Sequence, residues 1–191
     1  KLPVTIAIAT NIDKEHLDYY GSFDKLKKAF MSFICSVPFY GVAICCIDDK
    51  NIKRIISKIN DRKIITYGLS DNANIRIKNM SFNRGISHFD IDDTINGVYL
   101  RDFKLPMVGE HNVLNACAAV LVALQLLIPL KSIKSSLSMF DGVARRFSQV
   151  GSYNGAMIID DYAHHPAEII AVIKAARQIT KKRVIVVHQP H

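Results

Sequence analysis

The first third of the chain alternates continuous apolar runs with amphipathic segments. The run from Val4 to Thr10 has the length and uniform apolarity of a buried strand. After Ser22, which can cap a helix, apolar residues from Phe23 to Ile34 recur at helical spacing. Repeated alternation of strand and helix predicts a parallel sheet. The predicted elements are a strand at 4–10, a helix at 22–37, a strand at 42–47, a helix at 51–59 and a strand at 63–67.

From Ser70 onward the pattern shortens to a period of two, which predicts a β meander with Asn96-Gly97 as a hairpin turn. Two helices follow, and Phe140-Asp141-Gly142 ends the second of them. We therefore expect an α/β fold with a domain border within 142–146, which gives domains 1–141 and 142–191. The predicted elements are strands at 74–79, 87–91 and 98–103, helices at 111–127 and 132–139, strands at 148–153 and 156–160, a helix at 166–178 and a strand at 183–187.

Composition limits the class of protein. With 191 residues, of which 49% are hydrophobic, the chain can bury a sizeable core. The longest apolar stretch, Val113 to Leu130, contains Asn115, Gln125 and Pro129, so it predicts a buried helix and no membrane partner. Because a strand-like run follows Lys1 almost directly, without a start methionine or a signal-like segment, we expect the sequence to begin within a longer protein.

The cysteines and the net charge give further expectations, about the cellular compartment and the type of ligand. The four cysteines lie in apolar segments without the CxxC spacing of zinc or redox sites, which predicts reduced thiols in a cytoplasmic protein. A net charge of +8 is compatible with a polyanionic ligand, either nucleic acid or the phosphates of a nucleotide. Since the lysines are scattered along the chain, we expect no nucleic-acid partner.

Four short segments concentrate polar side chains that can carry chemistry. The first is the loop after the first strand, where His16 has Asp13, Glu15 and Asp18 as neighbours. A neutral imidazole in such a loop could ligate a divalent cation, with a carboxylate holding the other ring nitrogen. The alternative is a solvated acidic loop, and the spacing alone favours it.

The second segment opens the predicted apolar helix near residue 111. Asn112 and Asn115 are three residues apart, so they share one face of the helix. A carboxamide offers both a donor and an acceptor, and can therefore bind the edge of a nucleotide base. As plain helix caps the two asparagines would be equally ordinary.

The third segment is the arginine pair Arg145-Arg146 at the predicted domain border. A guanidinium group there could bind phosphate oxygens through two hydrogen bonds, and its charge would count most in the transition state of phosphoryl transfer. Surface arginines at domain joints also form common salt bridges, and the sequence does not decide between the two roles.

The fourth segment runs from Asp160 to Pro166, between an apolar strand and a helix that Pro166 can start. Such a turn places side chains and free helix N–H groups at the carboxyl end of a strand, where ligands bind in α/β folds. A zinc site at His164-His165 is disfavoured, because adjacent side chains diverge and no paired cysteine supports them. The density of polar groups favours a functional site.

Taken together and in this order, these segments resemble the Mur ligases. The resemblance covers essentially the whole chain and rests on TNIDKEHLDYY, SVPFYG, GEHNVLNACAA, ARRF, DDYAHHP and HQPH. It implies that 1–141 is part of a central ATP-binding domain with a mixed, mainly parallel sheet, and that 142–191 begins a Rossmann-like C-terminal domain. It also implies ATP and Mg²⁺ as ligands. Within the family, SVPFYG and HQPH favour the members that join L-alanine to UDP-N-acetylmuramate over those that add a tripeptide to it.

The resemblance also implies a role for each matching residue. These roles are His16 as magnesium ligand, Asn112 and Asn115 near the adenine, Arg146 facing the transferred phosphate, Asp161 and Tyr162 holding ribose and adenine, and His164 and His191 at the muramoyl and alanine end. Of these, Arg146 and His16 would act in catalysis.

The sequence also departs from the family pattern. It contains no GxxGKT/S phosphate-binding loop, and neither the second magnesium-binding residue nor the UDP-binding domain of the family is present. We therefore expect the 191 residues alone to be an inactive fragment whose remaining role is binding. We also expect residues from Gly142 onward either to associate with a second copy of the chain or to be poorly ordered.

Overall fold

The computed structural model describes residues 4–15 and 17–189. They form a mixed α/β fold, as the sequence pattern predicts. In chain order the elements are β1 Ile6–Ala9, α1 Leu17–Tyr20, α2 Phe23–Cys35, β2 Val42–Cys46, α3 Lys50–Ile56, β3 Ile64–Gly68, β4 Ile75–Asn83, β5 Ile86–Asp93, β6 Val98–Leu105, α4 Glu110–Gln125, α5 Leu130–Ser138, β7 Ser148–Tyr153, β8 Ala156–Asp160 and α6 Pro166–Ile179.

The larger sheet has the strand order β1-β2-β3-β4-β5-β6, and its first four strands pair in parallel. Strand β2 is buried at all five of its positions, as expected for a strand with a parallel neighbour on each side and helices on its faces. The predicted meander is confirmed as β4 to β6, with longer strands than the sequence suggested. The smaller sheet is the antiparallel hairpin of β7 and β8.

Helix caps account for where α2 and α3 begin, and that of α2 is the predicted Ser22. The Ser22 hydroxyl accepts a hydrogen bond from the Lys25 N–H at 3.2 Å, and the Asp49 carboxylate accepts those of Asn51 and Ile52, both at 2.8 Å. Asp49 also accepts the Ile12 N–H at 3.4 Å. The loop after β1 is therefore tied to the start of α3.

Two local predictions were wrong. Residues 17–20 form the short helix α1, where the sequence predicted a loop after the first strand. Residues 183–187 form no strand, although their apolar run has strand character. A β-strand is stabilised by pairing, and within 4–15 and 17–189 no strand pairs with this run, whose Val187 side chain is 94% exposed. Self-association through residues 142–191 stays a prediction.

The chain divides into two compact units that do not follow the predicted domain order. Unit 1 comprises residues 1–78, 91–100 and 117–128, and unit 2 comprises residues 79–90, 101–116 and 129–191. This division into compact units does not test the predicted domain border within 142–146, which stays a prediction. Among the helices that the structure describes, none is both long enough and apolar enough to span a bilayer.

Candidate functional site: a hinge and a polar turn in unit 2

The backbone around Arg146 is held in an uncommon conformation. We call Val143–Phe147 the hinge, and within it Arg145 has φ 58° and Phe147 has φ 54°. Residues other than glycine rarely adopt the left-handed region, and such positions concentrate at functional sites. The Arg146 N–H donates to the Val143 carbonyl at 3.1 Å. The chain therefore fixes the direction in which the Arg146 side chain leaves the hinge.

Asp161 joins the hinge to the segment Asp160–His165, which we call the polar turn. One carboxylate oxygen accepts the Phe147 N–H and the other accepts the Ala163 N–H, both at 2.8 Å. The Tyr162 N–H donates to the Arg145 carbonyl, also at 2.8 Å. These three hydrogen bonds pin the two segments together, so Asp161 has a positioning role besides any contact with a ligand.

Arg145 and Tyr162 form a stacked pair on this surface. The Arg145 guanidinium lies 4.8 Å from the centroid of the Tyr162 ring, within the range of a cation–π interaction. Its Nε is 3.4 Å from a carboxylate oxygen of Asp160. The His164 ring meets the Tyr162 ring edge to face, with centroids 5.5 Å apart. Tyr162 nevertheless remains 49% exposed, so part of its ring is open to a ligand.

Glu168, in the first turn of α6, connects Arg146 with the histidines. One of its carboxylate oxygens is 3.7 Å from an Arg146 guanidinium nitrogen. The other accepts the N–H groups of His164 at 3.2 Å and His165 at 3.4 Å. Burial raises the pKa of Glu168, but these N–H donors and the Arg146 charge outweigh it, and the pKa lies below its ordinary value. Glu168 is therefore ionised at neutral pH.

A helix-capping motif in the sequence could have identified Glu168, but the sequence analysis did not recognise it. His165 is the N-cap of α6, and Glu168 stands three residues later, which is the spacing of a capping box. Ser or Thr usually opens that motif, so a histidine in its place concealed it. The His165 Nδ1 accepts the Ala167 N–H at 3.4 Å.

The two asparagines of α4 differ in their surroundings. The Asn112 amide donates at 2.7 Å to the carbonyl of Val108, which lies just before the first residue of α4. Asn115 is exposed, and no residue in 4–15 or 17–189 is a hydrogen-bond partner of its side chain. The Asn115 side chain therefore keeps its full hydrogen-bonding capacity, whereas Asn112 uses one of its donors on the Val108 carbonyl.

His111, which the sequence interpretation did not single out, lies in the first turn of α4. A Cβ on Gly109 would be 2.7 Å from the His111 ring and 3.3 Å from the Ala175 Cβ, so only glycine fits there. Gly109 also has φ 107°. Burial lowers the pKa of His111, Asp161 opposes this and Arg146 adds to it, and the net pKa is below its usual value. The first turn of α4 is thereby electrostatically coupled to the hinge and the polar turn.

The structure thus brings Arg146, Asp161, Tyr162 and His164 into one cluster. Asn112 and Asn115 lie in the same unit, but within the described residues neither side chain forms a hydrogen bond to that cluster. His16 and His191 lie outside the described residues. Within the described part of the chain no three side chains of His, Cys, Asp or Glu are grouped to hold a metal ion.

Two segments of the chain match models of known protein families. Residues 1–123 match the family model "Mur ligase middle domain", and residues 145–190 match "Mur ligase, glutamate ligase domain". A curated UDP-N-acetylmuramate–L-alanine ligase from Roseobacter denitrificans is 49% identical over 191 residues. The alignment covers 100% of this chain and 41% of that relative, so the chain spans about two fifths of its length.

Solved structures give the same assignment. MurF from Acinetobacter baumannii matches with a TM-score of 0.79 and 26% identity, over 92% of this chain and 38% of that one. UDP-N-acetylmuramate-alanine ligase MurC from Thermotoga maritima matches with a TM-score of 0.76 and 26% identity, over 94% of this chain and 40% of that one. From its sequence, its fold and the matched family models, the chain belongs to the Mur ligase family.

Proposed function

We propose that this chain supplies the nucleotide-binding and phosphate-facing part of a cytoplasmic enzyme of peptidoglycan synthesis. That enzyme joins L-alanine to UDP-N-acetylmuramate at the expense of ATP. The relative from Roseobacter denitrificans, 49% identical, carries that activity in its name, and this supports L-alanine as the amino acid. Because the alignment covers 41% of that relative, the activity belongs to the full-length gene product rather than to these residues alone.

The proposed reaction proceeds in two steps. A muramoyl carboxylate oxygen attacks the γ-phosphorus of ATP, which forms an acyl phosphate and releases ADP. The amine of L-alanine then attacks the carbonyl carbon, phosphate leaves with the former carboxylate oxygen, and the nitrogen loses a proton. Negative charge grows on the phosphate oxygens in the first step, so a fixed cation near them lowers the barrier.

The observation that carries the proposal is the setting of Arg146. Its guanidinium contacts Glu168, and its side chain is 49% exposed. A guanidinium group has donors on more than one edge, so Arg146 can keep Glu168 on one edge and bind phosphate oxygens with another. The left-handed residues on either side fix its backbone. Arg146 is therefore our candidate for the catalytic cation.

The nucleotide would lie against the polar turn and the start of α4. Tyr162 has Arg145 over its ring and still presents open aromatic surface, on which an adenine could stack. Each Asp161 oxygen accepts one backbone N–H and retains capacity for a ribose hydroxyl. Asn115, which is exposed, and the carbonyl oxygen of Asn112 are the groups suited to the base edge.

The remaining roles rest on the family resemblance. His164 would line the muramoyl end, and its exposed ring beside Tyr162 is compatible with that. His191 would lie at the alanine end, and His16 would bind magnesium. The described residues do not supply a ligand set for magnesium, so no step is assigned to that ion. In the family's reaction magnesium would neutralise phosphate charge.

We also propose that the functional domains meet near Gly142. The matched family models support this border, because the first ends at residue 123 and the second begins at residue 145. Gly142 has φ 85°, a conformation that suits a chain reversal at the end of a helix.

Substrate-dependent ADP release by the full-length gene product tests the proposed function. With ATP, Mg²⁺ and UDP-N-acetylmuramate present, L-alanine should stimulate ADP release, and the nucleotide sugar should gain one alanine by mass. A tripeptide supplied in place of L-alanine should give no product. Product from the tripeptide alone would assign the chain to the recycling ligases, and no release with either would leave only a binding function.

A further inference from the structure

Glu168 makes two kinds of contact that separate variants can distinguish. One carboxylate oxygen faces Arg146 at 3.7 Å, while the other accepts N–H groups from His164 and His165 and lies 3.8 Å from the His164 Nδ1, with which it pairs only when that ring is protonated. The first contact needs a negative charge, and the second needs only an acceptor oxygen. A glutamine at this position would therefore keep the hydrogen bonds of the polar turn and remove the ion pair.

Glu168 makes its contacts with Arg146 and with the histidines from one fixed position on a helix. It belongs to the first turn of α6, which extends from Pro166 to Ile179 and buries Ala175 completely. A carboxylate on such a helix is a firmer support than one on a free loop. The hinge is separately tied to the polar turn through Asp161. Arg146 is thus held at its backbone by the hinge and at its guanidinium group by α6.

We propose that Glu168 is a positioning residue, whose carboxylate holds the edge of the Arg146 guanidinium opposite to the one that binds the transferred phosphate. This inference rests on the proposed function, since it presumes that Arg146 faces that phosphate. Glu168 touches no reacting atom. It orients the cation before the phosphate arrives, so that less ordering is required in the transition state.

Kinetics of the full-length gene product test the inference. Glu168→Gln should lower kcat about tenfold and leave KM for ATP within about twofold, because an interaction needed mainly in the transition state is weakened. Its thermal midpoint should stay at the wild-type value, since the capping hydrogen bonds remain. Glu168→Ala should lower both kcat and the thermal midpoint. A Glu168→Gln enzyme that retained the wild-type kcat would overturn the inference.

A matched control is available in unit 1. Asp24 lies in the first turn of α2 and pairs with Lys27 at 2.6 Å, so it repeats the arrangement of a carboxylate and a cation at a helix start. Asp24→Asn removes that pair and should leave kcat and KM unchanged. A fall in kcat equal to that of Glu168→Gln would mean that any such pair has this effect, and would contradict a specific role of Glu168.

A double-variant cycle shows whether Glu168 acts through Arg146. Lysine keeps the charge of Arg146 but loses its planar fork, so it has no second edge for Glu168 to hold. In an Arg146→Lys background, Glu168→Gln should lower kcat by less than about twofold. A loss in that background as large as in the wild type would show that Glu168 acts independently of Arg146, and would refute the inference.

Chemical labelling separates this inference from the proposed function. Phenylglyoxal modifies accessible, unpaired guanidinium groups, so Glu168→Gln should increase the labelling rate of Arg146 relative to that of Arg145 in the same peptide. A wild-type enzyme without alanine-dependent ADP release would refute the proposed function, whatever the labelling. An unchanged labelling ratio would refute the Glu168–Arg146 pairing, whatever the activity.

Discussion

In the parallel sheet of unit 1 and in the hinge of unit 2, a carboxylate accepts hydrogen bonds from backbone N–H groups. The surroundings of the two carboxylates differ. In unit 1, Asp48 accepts the Leu69 and Ser70 N–H groups at 2.7 and 3.0 Å, beside the fully buried strand β2. In unit 2, Asp161 accepts two such groups beside the half-exposed Arg146 and Tyr162. The same bonding pattern supports an apolar core in one region and an accessible polar surface in the other.

Arg146→Ala should have the largest effect on activity. Removing a cation that acts in the transition state of phosphoryl transfer should lower kcat about a thousandfold in the full-length gene product. Thermal stability should change little, because the side chain is 49% exposed. Steady-state kinetics and a thermal melt measure both.

A variant of the neighbouring residue Arg145 tests whether the effect on kcat is specific to Arg146. Arg145 stacks on Tyr162, so Arg145→Ala should mainly raise KM for ATP. If Arg146→Ala kept more than about a tenth of the wild-type kcat, the hinge would not be the catalytic region that we propose.

Ile44→Ala should have the largest effect on stability. Ile44 is completely buried at the centre of β2, so the cavity should lower the free energy of unfolding by about 2–5 kcal/mol. Denaturant titration measures the loss. The matched variant Ile95→Ala removes a side chain that is 54% exposed and should cost less than about 0.5 kcal/mol. Equal losses would mean that the core has been placed wrongly.

Asp48→Asn and Asp161→Asn compare the two carboxylates directly. Each variant replaces one acceptor oxygen with an amide group that cannot accept, so each should lower the free energy of unfolding by about 0.5–1.5 kcal/mol. Only Asp161→Asn should also lower kcat, because only Asp161 pins the segments that carry Arg146 and Tyr162. A matching loss of kcat in Asp48→Asn would remove the functional distinction between the units.

The sequence predicted the elements that depend on local chemistry. Ser22 was recognised as a cap from residue type and position, and its hydroxyl accepts the Lys25 N–H. The apolar run at 183–187 failed as a strand, since strand formation depends on a pairing partner that local sequence does not reveal.

The candidate site in unit 2 was also predictable only in part, because some of its contacts join residues that are distant in sequence. Arg146, Asp161, Tyr162 and His164 stand in dense polar motifs and were identified there. The pairing of Glu168 with Arg146 and the electrostatic coupling of His111 to Asp161 join residues distant in sequence, so they appear only in the folded chain, although the capping-box spacing marked Glu168 itself. The hydrogen bond from the Asn112 amide to the Val108 carbonyl was likewise not evident from the motif, and the place of Asn112 beside a nucleotide base stays a prediction.

The pH dependence of His111 should give the smallest of these effects. Burial lowers its pKa in the folded chain, so the unfolded chain takes up the proton first as the pH falls. Its contribution to stability is therefore complete above the unfolded value of about 6.5 and declines as the pH drops below it. Denaturant midpoints should fall less between about pH 8 and about pH 5.5 in His111→Gln than in the wild type. An identical fall would place His111 in solvent.

Transfer of oxygen-18 from substrate to phosphate tests the central claim most directly, which is that this chain belongs to a ligase working through an acyl phosphate. UDP-N-acetylmuramate labelled on both muramoyl carboxylate oxygens is incubated with ATP, L-alanine and the full-length gene product, and the released phosphate is analysed by mass spectrometry. The account predicts one oxygen-18 atom in each phosphate released with product. Unlabelled phosphate accompanying the same product would contradict it.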